Sequence, residues 1–166
     1  MNQPQPAFRV GLGYDIHPLV AGRPCVLGGV NIPSEVGPEG HSDADVLLHA
    51  VADAILGAAG LRDIGHYFPN TDAAIKGLDS AVIVKKAVAE AQANGGWHVG
   101  NVDVVIVGER PKVMAHVEAM KASVAGIIGI SPSQVGIKAT TNEGMDSIGQ
   151  GKALAVQAIC LVFRGN

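Results

Sequence analysis

The sequence predicts an α/β fold, and three observations carry that prediction. Runs rich in β-branched residues alternate along the chain with stretches whose apolar residues recur at helical spacing. No internal repeat, linker or low-complexity tract interrupts the alternation. The 166 residues are 48% hydrophobic and only 16% charged, enough to bury roughly 70% of the surface an unfolded chain of this size exposes. One domain over residues 1–166 is expected, with residues 1–7 a flexible N-terminus.

Each element has its own justification. Phe8–Ile16 reads as a strand, and Cys25–Ile32 as a short hairpin broken at Gly28-Gly29. Asp43–Ala59 reads as a helix whose apolar face is Val46, Leu47, Ala50, Val51, Ala54, Ile55 and Ala58. Ser42 or Asp43 is the expected N-cap, and Gly60 stands where the helix ends. Residues 60–78 have no period and read as a long functional loop. Asp79–Ala93 reads as a second helix on Ile83, Val84, Ala87, Val88 and Ala91, stopping at Asn94-Gly95-Gly96. Val99–Val107 reads as a buried strand. A third helix over Val113–Ile128 repeats Val113, Val117, Met120, Val124 and Ile127, and Val135–Thr140 and Leu154–Phe163 complete the strands.

Charge and cysteine usage narrow the function classes. A net charge of -3 argues against general nucleic-acid binding. Residues 1–84 hold four Lys/Arg against nine Asp/Glu, and residues 85–166 hold eight against six, so the first half suits a cation and the second an anion. Cys25 and Cys160 are isolated and lie in apolar context, which implies a reducing, cytoplasmic compartment. Residues 1–6 show no basic segment and no apolar core of a signal peptide. The longest apolar stretch, Ala153–Phe163, is too short to span a bilayer. A protein without a membrane partner is expected.

The chemistry-bearing residues start with Asp15-x-His17 and His41-Ser42-Asp43-Ala44-Asp45-x-x-x-His49. Residues two apart on a strand share a face, so Asp15 and His17 point the same way. On a helix Asp45, His49 and Asp53 fall four apart and form a polar stripe. Strand face and helix face can converge on one cation, and two imidazoles with a carboxylate suit zinc, with an open fourth position. His41 and Ser42, at the expected helix start, are placed for a phosphate. Gly108-Glu109-Arg110-Pro111-Lys112 follows a strand and opens a helix, a turn that can offer backbone groups and a lysine to a nucleotide. Lys138-Ala139-Thr140-Thr141-Asn142-Glu143-Gly144 concentrates hydroxyls, a lysine and a carboxylate that could meet phosphate oxygens and a magnesium ion.

These motifs, taken in order, resemble the 2-C-methyl-D-erythritol 2,4-cyclodiphosphate synthase family. The resemblance rests on the run from Gly11 to His17, Gly28–Pro33, Gly40–Asp45 with His49, Asp53–Gly57 and Asp63–Gly65. It continues through Phe68–Asp72, Gly100–Asp103, Arg110–Lys112 and Lys138–Glu143. It implies an α+β sandwich, a mixed β-sheet covered by helices, forming a homotrimer with active sites between subunits. It further implies conversion of 4-diphosphocytidyl-2-C-methyl-D-erythritol 2-phosphate to the 2,4-cyclodiphosphate with release of CMP. Asp15, His17 and His49 are then the zinc ligands and Glu143 the magnesium or manganese ligand. His41 and Thr141 stabilise the transition state. Ser42, Asp63, Ile64, Gly65, Phe68, Pro69, Asn70, Thr71 and Asp72 hold the methylerythritol portion. Gly108, Glu109, Arg110, Pro111, Lys112, Val113, Met114, Ala139, Thr140 and Thr141 hold the cytidine nucleotide.

The chain departs from many members after the glutamate. They continue Lys-Leu-Gly-Phe-Thr-Gly-Arg-Gly-Glu-Gly, where this chain has Gly144 to Ala153, so Ser147 replaces an aromatic residue, Gln150 an arginine and Lys152 a glutamate. Asn70 stands where Asp is frequent. A metal- or nucleotide-binding trimer without catalysis, and a metal-dependent phosphohydrolase, are the rival readings.

Overall fold

A computed structural model of the chain describes residues 7–69, 71 and 76–165. Its frame is one mixed sheet of five strands in the order β4-β1-β7-β5-β6, built from β1 (Phe8–Ala21), β4 (Val36–Pro38), β5 (Trp97–Val107), β6 (Val135–Thr140) and β7 (Ala153–Arg164). Among the described strands of this sheet β5 and β6 run parallel, and β1–β7, β7–β5 and β1–β4 are antiparallel. The expected hairpin forms from β2 (Cys25–Leu27) and β3 (Val30–Ile32), turning at Gly28 and Gly29, both in the left-handed region.

The helices α1 (Val46–Ala59), α3 (Ser80–Ala93) and α4 (Val117–Ile128) pack on one face of this sheet. α1 lies closest, because β1 carries no side chain where the helix crosses. A Cβ on Gly13 would stand 1.9 Å from the Ala50 carbonyl oxygen, and one on Gly11 2.1 Å from that of Ala54. The core between the layers is Leu47, Val51, Ala54 and Ile55 of α1 against Val104, Ile106, Val156 and Ala158 of the sheet, all essentially inaccessible. Among the described residues no helix covers the opposite sheet face. Phe8, Val10, Leu12, Tyr14 and Ile16 of β1, with Ile159 and Phe163 of β7, are exposed there, with Leu12 opposite Ile159 and Phe8 opposite Phe163.

Several boundaries differ from the sequence expectation. The first helix begins at Val46 rather than Asp43, and its cap is Asp45 rather than Ser42 or Asp43. Ala44 takes φ 59°, which a right-handed helix cannot pass through, and the Asp43 carboxylate is engaged elsewhere. Gly60 does close α1 in the left-handed conformation. The loop expected over 60–78 contains the four-residue α2 (Ile64–Tyr67). The third helix starts as a tighter turn at Met114–His116 before α4 proper. The short elements β4 and α5 (Asp146–Gly149) are too brief to show a period. The expected flexible N-terminus at 1–7 lies, apart from Ala7, outside the described residues.

Candidate active site

β1 delivers Asp15 and His17 to its helix-covered face, while their neighbours Tyr14 and Ile16 point outward and are exposed. His49 stands one turn into α1, which the glycines of β1 let approach. The ligand atoms of Asp15, His17 and His49 all lie within 4.8 Å of one another. Asp15 Oδ2 is 3.0 Å from His17 Nε2 and 3.0 Å from His49 Nδ1. Burial by itself raises the Asp15 pKa, but hydrogen bonds from His17 and His49 outweigh it and hold the carboxyl well below its ordinary 3.8. His17 moves up from 6.5 because Asp15 accepts its hydrogen bond; burial opposes this, and the Glu39 carbonyl adds to the rise.

One carboxylate between two imidazoles, partly buried and drawn together by protons, is a donor set that a divalent cation satisfies. Asp15, His17 and His49 would hold such a cation by three protein ligands, fewer than the four of a closed structural site. The outward ring nitrogens are also held. His17 Nδ1 donates to the Glu39 carbonyl. His49 Nε2 lies 2.9 Å from Ser80 Oγ and 3.2 Å from Ser42 Oγ.

Around the triad, Ile16, Gly40, His41, Ser42, Ile64, Gly65, Phe68, Leu78 and Ile83 line an open cleft. His41, Ser42, Ile64, Gly65 and Phe68, expected at the substrate, thus line the same cleft as Asp15, His17 and His49. Asp63 is outside this lining; it caps α2 by accepting His66 N–H at 3.1 Å. Pro69 and Thr71 are exposed and also outside the lining, and Asn70 and Asp72 lie outside the described residues.

The polar stripe of α1 divides. Asp45 is fully buried and accepts four backbone N–H groups, from Leu47 (3.1 Å), Leu48 (3.0 Å), Gly28 (2.9 Å) and Gly29 (2.7 Å). That carboxylate already occupies the helix start, while His41 and Ser42 lie ahead of it and line the cleft beside Asp15, His17 and His49. Asp53 is not a ligand either. Its Oδ1 accepts Ile64 N–H at 2.8 Å and fixes α2 beside the cleft.

A second cleft is lined by Ile106, Gly108, Pro111, Lys112, Val113, Met114, Ala139, Thr140, Thr141 and Leu154. It gathers most residues expected at the nucleotide. Glu109 and Arg110 are not in its lining; Arg110 Nε donates to the Gly151 carbonyl at 3.0 Å and ties the two loops together. Lys138 is not in the lining of this cleft and pairs with Asp103 on the uncovered sheet face. Glu143 is exposed at φ 51°, and its Oε1 accepts the Thr141 hydroxyl at 3.3 Å. Within one chain, Thr141 and Glu143 are not among the groups lining the metal cleft.

Sequence reasoning missed Ser80, Asp43 and the Glu39 carbonyl. Ser80 is 31 residues from His49, and a backbone carbonyl leaves no residue-type signal.

The YgbB family profile matches residues 8–163. This chain belongs to the YgbB family. Its YgbB-family relatives include 2-C-methyl-D-erythritol 2,4-cyclodiphosphate synthases. The one from a Synechococcus strain is 53% identical over 156 residues, covering 94% of this chain and 99% of the relative. That of Bordetella petrii is 51% identical over 166 residues, all of both chains. The fold matches the bifunctional IspDF of Campylobacter jejuni at TM-score 0.91 and 34% identity, over 96% of this chain and 43% of that one. It matches IspF of Plasmodium falciparum, solved as a CDP complex, at TM-score 0.84 and 31% identity, over 96% and 98%. Among the described residues of this YgbB-family chain no helix is long and apolar enough to cross a membrane.

Proposed function

We propose that this chain converts 4-diphosphocytidyl-2-C-methyl-D-erythritol 2-phosphate to 2-C-methyl-D-erythritol 2,4-cyclodiphosphate, releasing CMP, as a phosphorus–oxygen lyase of the non-mevalonate isoprenoid precursor pathway. The single observation that carries it is the convergence of Asp15, His17 and His49 in a cleft bordered by His41, Ser42, Gly65 and Phe68. In this reading Asp15, His17 and His49 hold zinc, and Glu143 holds magnesium or manganese. A bound divalent cation supplies positive charge against the phosphate oxygens.

The nucleophile is an anionic 2-phosphate, so the chain need not provide a strong base. Its residues position and neutralise. His41, at the mouth of the cleft, and Thr141 offer hydrogen bonds to the charge that builds on the transferring phosphoryl group. Ser42, Ile64, Gly65 and Phe68, with Asp63, Pro69, Asn70, Thr71 and Asp72, hold the methylerythritol portion. Gly108–Met114 and Ala139–Thr141 hold the cytidine nucleotide. The whole is read as one cyclodiphosphate-synthase-like domain working in the cytoplasm.

The two clefts of one chain have no lining residue in common, which supports a homotrimer in which the nucleotide cleft of one subunit meets the metal cleft of its neighbour. The uncovered apolar face of β1 and β7 supports the same assembly: Leu12 at 66% exposed and Phe8 at 58% are apolar surface seeking cover. The test is incubation of purified protein with the cytidylyl substrate, zinc and magnesium. CMP and the cyclic product are expected; no CMP rejects the assignment, and inorganic phosphate in place of the cyclic product makes the chain a phosphohydrolase.

A further inference from the structure

We infer that Ser80, held by Asp43, is a positioning residue that commits His49 to bind the metal through Nδ1. The inference rests on the divalent-metal reading of the Asp15–His17–His49 centre. Ser80 is completely buried, at the first position of α3. Its hydroxyl has no capping duty, because Asp79 caps that helix by accepting Ala81 N–H at 2.8 Å. Instead Ser80 Oγ sits 2.5 Å from Asp43 Oδ1 and 2.9 Å from His49 Nε2.

The proton positions follow by elimination. Asp43 is an acceptor on both oxygens: Oδ1 takes Asp45 N–H and Oδ2 takes Ser80 N–H, each at 3.1 Å. The Ser80 hydroxyl proton therefore goes to Asp43, and its oxygen has only lone pairs left for His49. The nitrogen facing it must carry a proton, so when a metal takes the place of the proton that Nδ1 shares with Asp15, His49 is left as the Nε2–H tautomer with its Nδ1 lone pair free for the metal. His17 is set the opposite way, since the Glu39 carbonyl can only accept and so fixes the proton on Nδ1. Once a metal displaces the two protons shared with Asp15, the imidazoles are left in opposite tautomers with both lone pairs aimed at the same point beside Asp15 Oδ2.

The relay is rigidly mounted. Asp43 N–H donates to the Leu78 carbonyl at 3.1 Å and Gly77 N–H to the His41 carbonyl at 2.9 Å, so residues 41–43 and 77–80 move as one piece. Ser42 Oγ also lies 3.2 Å from His49 Nε2, but it already accepts Ala44 N–H at 3.1 Å and, among the described residues, has no carboxylate partner to fix its proton.

The test measures zinc affinity by chelator competition on the full chain, wild type beside Ser80→Ala, Ser80→Thr and Ser42→Ala, with cobalt(II) absorption spectra of each. Ser80→Ala should lose about 10- to 100-fold in affinity, the cost of an outer-shell partner, and change the cobalt spectrum. Ser80→Thr keeps the hydroxyl and should recover most of the loss, while Ser42→Ala should stay near wild type. A wild type that holds no divalent metal sinks the metal reading and this inference together. A wild type that holds zinc, with Ser80→Ala holding it as tightly, sinks the relay alone, and equal losses in Ser80→Ala and Ser80→Thr assign Ser80 a packing role and overturn it. The decisive measurement needs no variant. In zinc-loaded wild-type protein labelled with 15N-histidine, His49 must carry its proton on Nε2, and zinc bound to Nε2 overturns the proposal.

Discussion

Gly13→Ala should dismantle the metal centre without touching any ligand. The added Cβ would stand 1.9 Å from the Ala50 carbonyl oxygen and 2.7 Å from Ala54 N, both backbone atoms of α1 that cannot rotate away. Reaching the 3.0 Å below which real Cβ contacts essentially never fall requires β1 and α1 to separate by about 1.1 Å. Asp15 and His17 ride on β1 two and four residues beyond Gly13, and His49 adjoins Ala50 on α1, so the separation opens the ligand set directly. Metal–ligand distances tolerate about 0.2 Å, several-fold less than this displacement. Overpacking of this kind costs about 3 kcal/mol, which lowers the melting temperature by about 6–12 °C in a chain this long. Gly57→Ala is the control on the same helix, since its Cβ meets only the Leu12 carbonyl oxygen at 3.8 Å, and it should stabilise by about 0.5–1 kcal/mol. Melting curves and zinc content after dialysis read both effects. A Gly13→Ala protein that melts with the wild type and retains its zinc refutes the close-approach account of the site.

His49→Ala should lower zinc affinity by more than about 100-fold, beyond the loss of an outer-shell partner, and abolish CMP release while circular dichroism shows the fold intact; retained zinc would show that Asp15 and His17 suffice. Glu143→Ala should cut magnesium-dependent turnover and leave zinc content unchanged, and loss of zinc would contradict the division of roles. The pH dependence has opposite signs with and without metal. His17, raised above 6.5 by its bond to Asp15, holds its proton against the metal, so zinc retention against a chelator should already decline above pH 6.5 as pH falls. In metal-free protein the raised His17 stabilises fully below 6.5 and loses this as pH rises, while the lowered Asp15 stabilises above 3.8 and loses this as pH falls. Metal-free melting temperature should therefore peak between those values, and a maximum above pH 8 would contradict the ion pair. Leu12→Asp places a charge on a side chain 66% exposed, so the lone subunit should fold normally; if the proposed trimer covers this face, burying that charge costs several kcal/mol and sedimentation should show dissociation. An intact trimer would move the interface elsewhere.

What was legible in the sequence is what periodicity encodes. Val135–Thr140 forms a strand with the expected bounds, the glycine pair makes the β2–β3 turn, and Asp15, His17 and His49 meet because periods of two and 3.6 fix which side chains share a face. The same logic failed at Asp45. Spacing put it on the stripe with His49, but a carboxylate at the last residue before a helix is worth more to four unpaired N–H groups than to a cation one turn away. Period identifies a face; it does not say which partner reaches that face first.

Contacts that join distant segments carry no period at all. The groups that orient the two imidazoles are a carbonyl of Glu39 and a hydroxyl of Ser80, 22 and 31 residues from the rings they hold. Their effect is nevertheless the stricter one. Three ligands chosen by residue type bind a cation only if each presents a lone pair, and a neutral imidazole has one lone pair and two ways to place it. Acceptor-only neighbours remove that choice on both rings: the Glu39 carbonyl directly, and the Asp43 carboxylate through the Ser80 hydroxyl. The ligand identities are therefore local in the sequence, while the protonation that lets them act as ligands is a property of the folded chain.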